Sequence, residues 1–538
     1  MSGRGAAARW SVLMRTAAIM AALGAASGEA VRAQQKEPVI RPRSVAEELQ
    51  MFSQVLNQIR INHADSVDVH ELFMAAIEGM VAAVDPHSYV LPALRLSPDK
   101  DKMLRDGKAH PVPLTFTYIG AAPVVVSTPR TAAATSLDVL PGDELVAIDG
   151  APVSARSAEE LHITLAGPKG STVMLTFERH RLDGSSVTLT RAVRRVQADE
   201  TSGVPVAFLL AANTGYVRIT HFLNERVADD LRSALSTLER EGMRRLVLDL
   251  RDNGGGDPDQ AAKIAGEFLP RGSVVYRSVG RRADSERTVT VERSWLRPGE
   301  RAYPVVVLVD RGTASAAELL AGALQDHDRA IIVGRPTFGK ALLMQPFPLS
   351  DGSVIMLVTG SVQTPCGRVI QRQYRGLAPR EYYRMAAADR DTAGLPSCRT
   401  ANGRLVYGGD GIRPDILLPA WQPPPLWLAH ALENDLILRW TGSYLDAAPL
   451  PDLLAVSGRP ALPAATTLEF RTFAAQQGVE IPTDSDTELR LHAVLLSAIA
   501  AASRDAAGYY RIAAALDAEL EAAVAAFAQT DSVLGRQK

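Results

Sequence analysis

Between residues 213 and 420 the chain alternates short apolar runs with amphipathic stretches, and no other feature restricts its fold so strongly. The apolar runs lie at 216–219, 246–250, 305–309, 331–333 and 354–358. V-V-V-L-V (305–309) and I-I-V (331–333) carry no polar position, which reads as buried strand. Helical patterns at 227–241, 258–268 and 314–326 separate these runs, so the segment has an α/β layout.

The flanks follow other periods. Residues 44–92 read as helical, with Ser44 and Glu47 placed for a capping box and Val45, Leu49, Phe52, Val55, Leu56 and Ile59 on one face. A second helix pattern at 70–83 stops at D-P-H-S (85–88). From about 110 to 195 the chain reads as short strands at 123–127, 144–148 and 172–177, with turns at P-G-D, D-G and G-P-K-G and a helix at 157–166. The last stretch, 423–538, is helical and rich in alanine and leucine.

Residues 1–33 read as a secretory signal, with Arg4, Arg9 and Arg15 ahead of a short apolar run and V-R-A (31–33) as a cleavage site. The run is too short for the roughly 20 residues that span a bilayer, so the expected product is exported and periplasmic or envelope-associated. The expected organisation is a signal at 1–33, a helical region at 34–107, a β-rich domain at 108–195, an α/β core at 196–422 and a helical extension at 423–538. The net charge of −2 gives no electrostatic footprint for nucleic acid. The two cysteines, Cys366 and Cys398, allow one disulfide or two free thiols. No metal-binding cluster, H-E-x-x-H, dinucleotide fingerprint or G-K-[ST] is present, so no metal and no cofactor is expected.

Two segments carry nucleophile-and-base chemistry. Ser315 lies in V-D-R-G-T-A-S-A-A-E (309–318), where a strand run gives way to a helix run. Lys340 closes G-R-P-T-F-G-K (334–340) and is followed by apolar Ala341, Leu342, Leu343 and Met344. A serine hydroxyl needs a base to attack, and a lysine serves near neutral pH only when desolvated. A third segment, L-V-L-D-L-R-D-N-G-G-G (246–256), ends a strand in three glycines that present amide N–H groups to an anion. Asp249 and Arg251 are expected to anchor that turn by ion pairing. His221 and His327 have no evident partner role. Taken singly, each motif has a bland reading: a helix N-terminus, a solvated lysine, a glycine-rich turn.

In this order, and with P-L-S-D-G-S (348–353), T-P-C-G-R (364–368) and Y-G-G-D-G-I-R-P-D (407–415) behind them, the segments resemble the carboxy-terminal processing proteases, tail-specific serine peptidases of family S41. The resemblance runs from roughly 45 to 420. The string L-P-G-D-E-L-V-A-I-D-G (140–150), with the helix and A-G-P-K-G-S-T-V (166–173) after it, resembles a PDZ domain. The fold class implied is multi-domain α/β: a crotonase/ClpP-like peptidase core with an inserted PDZ-like β-rich domain and helical N- and C-terminal regions.

By the same resemblance, Ser315 is the nucleophile and Lys340 the general base. Ala316, with Gly254 and Gly255 of the glycine turn, would form the oxyanion hole. Leu114, Thr115 and Phe116 occupy the PDZ carboxylate loop, here without its glycines. The family places a lysine-orienting glutamine where this chain has Met344, and Gln345 follows one residue later. Either a bulge turns Gln345 inward or the dyad works without that helper. His87, in D-P-H-S, corresponds to a structural turn. The implied partners are protein or peptide substrates, with a homo-oligomer and an activating adaptor as further expectations. The rival readings are a catalytically weak or inactive peptidase-fold protein acting as a PDZ scaffold or binding an apolar ligand.

Overall fold

The computed structural model describes residues 43–534 apart from 92–97, 107, 127–136, 156, 196–201, 283–285, 293–299, 378–380, 383–393, 421, 448–459 and 504–505. The expected signal at 1–33 lies outside the described residues. These residues fall into two compact units, one up to Phe73 and one from Met74 onward.

In the first unit, helix α1 (Val45–Asn62) starts at Ser44 with the expected capping box. Glu47 accepts from the Ser44 backbone N–H at 2.7 Å, and the Glu47 N–H donates to Ser44 Oγ at 3.3 Å. No α1 residue is buried; Val45, Leu49, Phe52 and Val55 are exposed. Helix α2 (Val69–Val84) begins in this unit and runs into the second.

In the second unit, β1 (Tyr89–Leu91) and helix α3 (Pro98–Arg105) lead to a β-rich layer. Its strands are β2 (Phe116–Ile119), β3 (Ala122–Val125), β4 (Glu144–Ile148), β5 (Ala151–Pro152), β6 (Thr172–His180) and β7 (Ser186–Arg194). They pair antiparallel in the order β2-β3-β4-β6-β7, with β5 on β4 and helix α4 (Ala158–Leu165) between β5 and β6. Alternate residues of β6, Val173, Leu175 and Phe177, are buried, as a half-covered antiparallel strand requires. Among the described residues β2 is an edge strand. Leu114 and Phe116 pack against the apolar core of this layer, and the Thr115 carbonyl accepts from Val126 N–H at 3.1 Å.

The core sheet holds β8 (Val206–Leu210), β9 (Thr214–Arg218), β10 (Arg245–Asp249), β13 (Val305–Val309), β14 (Ala330–Gly334) and β19 (Ile416–Leu417). The order is β19-β14-β13-β10-β9-β8, parallel except for the β8–β9 hairpin. Crossovers run through α5 (Val227–Arg240), α6 (Pro258–Ala265) and α7 (Ala316–Asp326). All eleven residues of α7 are buried. A second, antiparallel sheet contains β1, β11 (Val274–Gly280), β12 (Arg287–Thr290), β15 (Leu342–Pro348) and β16 (Val354–Gln363). Between β16 and β19 a hairpin, β17 (Ser397–Arg399) with β18 (Leu405–Tyr407), is tied to the T-P-C-G-R loop by a Cys366–Cys398 disulfide.

The last stretch forms α8 (Leu426–Glu433), α9 (Leu436–Ala447), α10 (Ala464–Gln476), α11 (Ser485–Ser503), α12 (Ala506–Ala515) and α13 (Ala518–Ala525). Trp440, Phe470, Leu491 and Leu495 centre a core of their own. Among the described residues, several contacts join this stretch to the rest. Helix α9 docks on the β-rich layer, where Arg179 bonds both Asp143 and Asp446 at 2.8 Å. Helix α13 lays Leu520 and Ala523 over one face of the core sheet, against Val247, Val306, Leu308 and Ile331. Among the described residues no helix is long and apolar enough to cross a membrane.

Candidate active site

The C-terminal ends of β10, β13 and β14 lie along one edge of the parallel sheet, and their three loops build the site. After β10, the buried Asp249 carboxylate accepts from Tyr216 Oη and Arg218 Nη1, both at 2.9 Å, and from Arg251 Nη2 at 2.7 Å. Burial alone would push Asp249 upward, but the Arg251 and Arg218 charges hold it below the usual carboxylate range. Asn253, also buried, holds the glycine turn: its Nδ2 donates to Ile219 O and its Oδ1 accepts Gly255 N–H, both at 2.9 Å.

Gly255 has φ +94°, and a Cβ there would lie 2.7 Å from both Ala314 O and Ser315 Cβ. Only glycine lets the turn press this closely on the Ser315 loop. Gly254 is exposed to the cleft.

After β13, Asp310 Oδ1 accepts from Gly312 N–H and, across loops, from Asp252 N–H, both at 2.9 Å. Asn253 O accepts Ala314 N–H at 2.8 Å. Ser315 sits at the N-cap of α7 with φ 55° and ψ −121°, a conformation costing about 1–3 kcal/mol that persists because the surroundings over-determine it. Its strand-to-helix turn points the chain into the cleft at the positive end of α7.

After β14, Phe338 N–H donates to Thr313 O at 2.9 Å, joining the Lys340 loop to the Ser315 loop. Glu318, fully buried one turn into α7, binds both. Its Oε2 accepts Ser315 N–H and Lys340 N–H at 2.9 Å; its Oε1 accepts Gly339 N–H at 2.8 Å and Thr337 Oγ1–H at 2.5 Å. Burial pushes Glu318 up to about 7 against these four donors. Lys340 is half-buried; desolvation lowers its pKa from the ordinary lysine value, and the Glu318 charge opposes part of that.

Ser315 and Lys340 line one cavity of about 670 Å³ together with Gly254, Gly255, Tyr89 and His221. Its other wall is apolar: Leu223, Leu319, Leu342, Met344 and Met356. The register of β15 on β16 slips between Leu343 and Met344, where Leu343 pairs with Gly360 and Met344 with Val358. The bulge is present, yet it leaves Met344 on the cavity wall and Gln345 exposed. Gln345 therefore does not join Ser315 and Lys340: alternation along the strand turns its side chain away. Gly255 also departs from its expected role, because its N–H is engaged by Asn253.

The model for peptidase family S41 matches residues 213–382. A carboxy-terminal-processing protease of Bartonella bacilliformis is 31% identical over 332 residues, which cover 60% of this chain and 73% of that protein. The chain belongs to peptidase family S41. The chloroplastic carboxyl-terminal-processing peptidase 2 of Arabidopsis thaliana is 33% identical over 319 residues, 56% of this S41 chain and 59% of that protein. Among solved structures, a photosystem II D1 C-terminal processing protease is 26% identical and covers 74% of this chain and 92% of its own, with a TM-score of 0.36.

Several residues of this S41 site escaped sequence reasoning. Glu318 was visible only as the last letter of T-A-S-A-A-E; three residues after a helix N-cap is where a carboxylate reaches back to the N-terminal N–H groups. His221 lines the cavity, and its Nδ1 accepts Leu223 N–H at 3.2 Å. His327 bonds Val274 O at 2.7 Å. The D-P-H-S turn reaches the site through long-range contacts that no local pattern announces. Asp85 caps it, and Ser88 Oγ accepts Val358 N–H at 3.0 Å, at the β15–β16 bulge.

Proposed function

We propose that the chain is an exported serine endopeptidase working through a Ser315–Lys340 dyad on other exported or envelope proteins, cleaving at or near a C-terminal tail. The observation that carries this reading is the shared cavity: a strained serine and a desolvated lysine, fixed relative to each other by one buried carboxylate.

Lys340 Nζ takes the Ser315 hydroxyl proton as Oγ bonds to the scissile carbonyl carbon. The oxyanion that forms is met by the Ala316 amide, at the first turn of α7, and by the Gly254 amide. Each donor of this kind is worth roughly 3–4 kcal/mol to the transition state. Lys340 then returns the proton to the leaving amine as the C–N bond breaks, giving an acyl-enzyme on Ser315. Water attacks that ester, losing its proton to Lys340, and the serine is released. The Leu- and Met-lined wall suits an apolar side chain beside the cut bond.

The β-rich layer acts as a PDZ-like module in this reading. The β2 edge can accept an extended peptide as an added strand, with main-chain bonds giving affinity. The exposed apolar side chains of α1 support self-association. A second reading, a scaffold with weakened catalysis, rests on Met344 standing on the cavity wall.

Unfolded casein separates the two. The wild type degrades it, while Ser315→Ala and Lys340→Ala do not; intact casein with every form would leave only the scaffold.

A further inference from the structure

Met344 offers the base no strong hydrogen-bond partner, so what fixes Lys340 must come from another element. Gln371 lies beside the base strand. Its Oε1 accepts Ala341 N–H, of the residue directly after the lysine, at 2.8 Å. Its Nε2 donates to Arg372 O at 2.9 Å and to Tyr382 Oη at 3.2 Å. With acceptor and donor both committed, the amide can face only one way.

Tyr382 is fully buried and bonds His87 Nε2 at 3.0 Å, with the rings edge-on at 5.0 Å. The tyrosine oxygen accepts from Gln371, and a His87 with a bare Nε2 can take its proton in a hydrogen bond. A neutral imidazole presents such a nitrogen. Burial first, then the charges of Lys340 and Arg372, push His87 down to about 4 against the pull of Asp85. The chain of bonds thus runs from the base strand through Gln371 and Tyr382 to the D-P-H-S turn. Arg372 closes the arrangement: its N–H donates to Gly339 O at 2.9 Å, and its guanidinium lies between the rings of Phe338 (4.8 Å) and Tyr382 (4.6 Å).

We propose that Gln371 is the positioning residue for the general base, with Tyr382 and His87 holding Gln371 in turn. The proposal rests on the Ser315–Lys340 reading and adds who holds the lysine. Gln371 acts through the backbone at Ala341, keeping Lys340 packed among apolar neighbours and pointed at the serine. The charged or titratable groups around that lysine are Glu318 from α7 and His87 from the D-P-H-S turn, with Tyr89 of β1 and His221 on the same cavity and Arg372 bound by its backbone to the neighbouring Gly339.

The test is the pH profile of kcat/KM on a fluorogenic peptide for wild type, Gln371→Ala and Tyr382→Phe, with Ser315→Ala and Lys340→Ala as controls. Loss of one buried hydrogen bond predicts about a tenfold lower kcat for Gln371→Ala, with KM little changed. The acid limb moves to higher pH, because a loosened base segment admits water to the amine. Tyr382→Phe keeps the ring under Arg372 and shows a smaller loss in the same direction. If Gln371→Ala does not fold, Tyr382→Phe decides alone. Activity reduced equally at every pH, or unchanged, in the folded variant overturns the positioning role. An active Lys340→Ala instead brings down the dyad itself, whatever Gln371 does.

Discussion

Glu318→Gln perturbs the site at its most connected pair of atoms, and the outcome can be worked from the four bonds. Oε2 serves Ser315 and Lys340; Oε1 serves Gly339 and Thr337. An amide keeps a single acceptor. Its better orientation turns the NH₂ toward Thr337 and Gly339 and strands the Gly339 N–H. One stranded buried donor costs about 1–3 kcal/mol. Against this stands the carboxylate's own burial. The folded-state pKa, about 7, is above the ordinary 4.5, so folding disfavours the charged form. The sign follows: no penalty below pH 4.5, growing as pH rises and complete above 7, at roughly 3 kcal/mol. Glutamine escapes that penalty. At pH 4–5 the wild-type group is itself a neutral acid that, like the amide, keeps one full acceptor, so the variant should nearly match wild type there and gain on it as the penalty grows toward pH 8, read by denaturant unfolding at the two pH values.

Activity responds differently. The register of Ser315 against Lys340 slackens, and 1–3 kcal/mol drawn from the transition state lowers kcat by about ten- to hundredfold. The Glu318 charge favours protonated Lys340, so removing it shifts the acid limb of kcat/KM to lower pH. That is opposite in direction to Gln371→Ala. A folded Glu318→Gln enzyme whose acid limb stays put or moves upward would refute the electrostatic coupling.

Two further outcomes are expected. Replacing Cys366 and Cys398 by serine opens a loop with a sequence separation of 32 and should cost roughly 3–4 kcal/mol by the chain-entropy relation, seen as a lower melting temperature that reductant reproduces in wild type. Glu519→Gln breaks bonds to Arg251 at 3.0 Å and Arg335 at 2.5 Å. With Glu519 partly exposed the loss should be about 1 kcal/mol or less, and added salt should weaken the wild type toward the variant in the same unfolding assay.

How far the sequence could be read depends on where the determinants lie. The run 305–309 is a strand to the residue, because five β-branched or aliphatic side chains in a row have no other buried use. Ser44, Ser157 and the α5 pattern also matched, since caps and a 3.6-residue period are local. Strands β11 and β15 went unread. The first interrupts its apolar residues with Arg277 and Ser278, and the second ends in Pro346 and Pro348; only pairing with β16 makes them strands. At the site, Ser315, Lys340 and the glycines stand in compact motifs, and the structure brings them to one cavity. Gln371, Tyr382 and His87 do not: each is ordinary in its own stretch and acquires meaning from a partner far away in sequence. On β15 itself Gln345 falls on the outer face, away from the cavity.

The C-terminal stretch is better understood as part of the catalytic body than as an addition to it. Its α13 side chains cover one face of the core sheet, the face opposite the buried α7. A parallel sheet must be covered on both faces, and the described helices of residues 196–422 cover only one. The same helix starts with Asp517 and Glu519, which together hold Arg251, two residues before Asn253, and Arg335, five before Lys340. The lysine loop is thus held twice, to the Ser315 turn through Glu318 within the site and to Arg251 ahead of the glycine turn through Glu519 behind it. Glu318 fixes the Ser315 and Lys340 backbones against each other. Glu519 sets how rigidly the two loops rise from the sheet, and it does so from a segment outside the 213–382 that the family model matches.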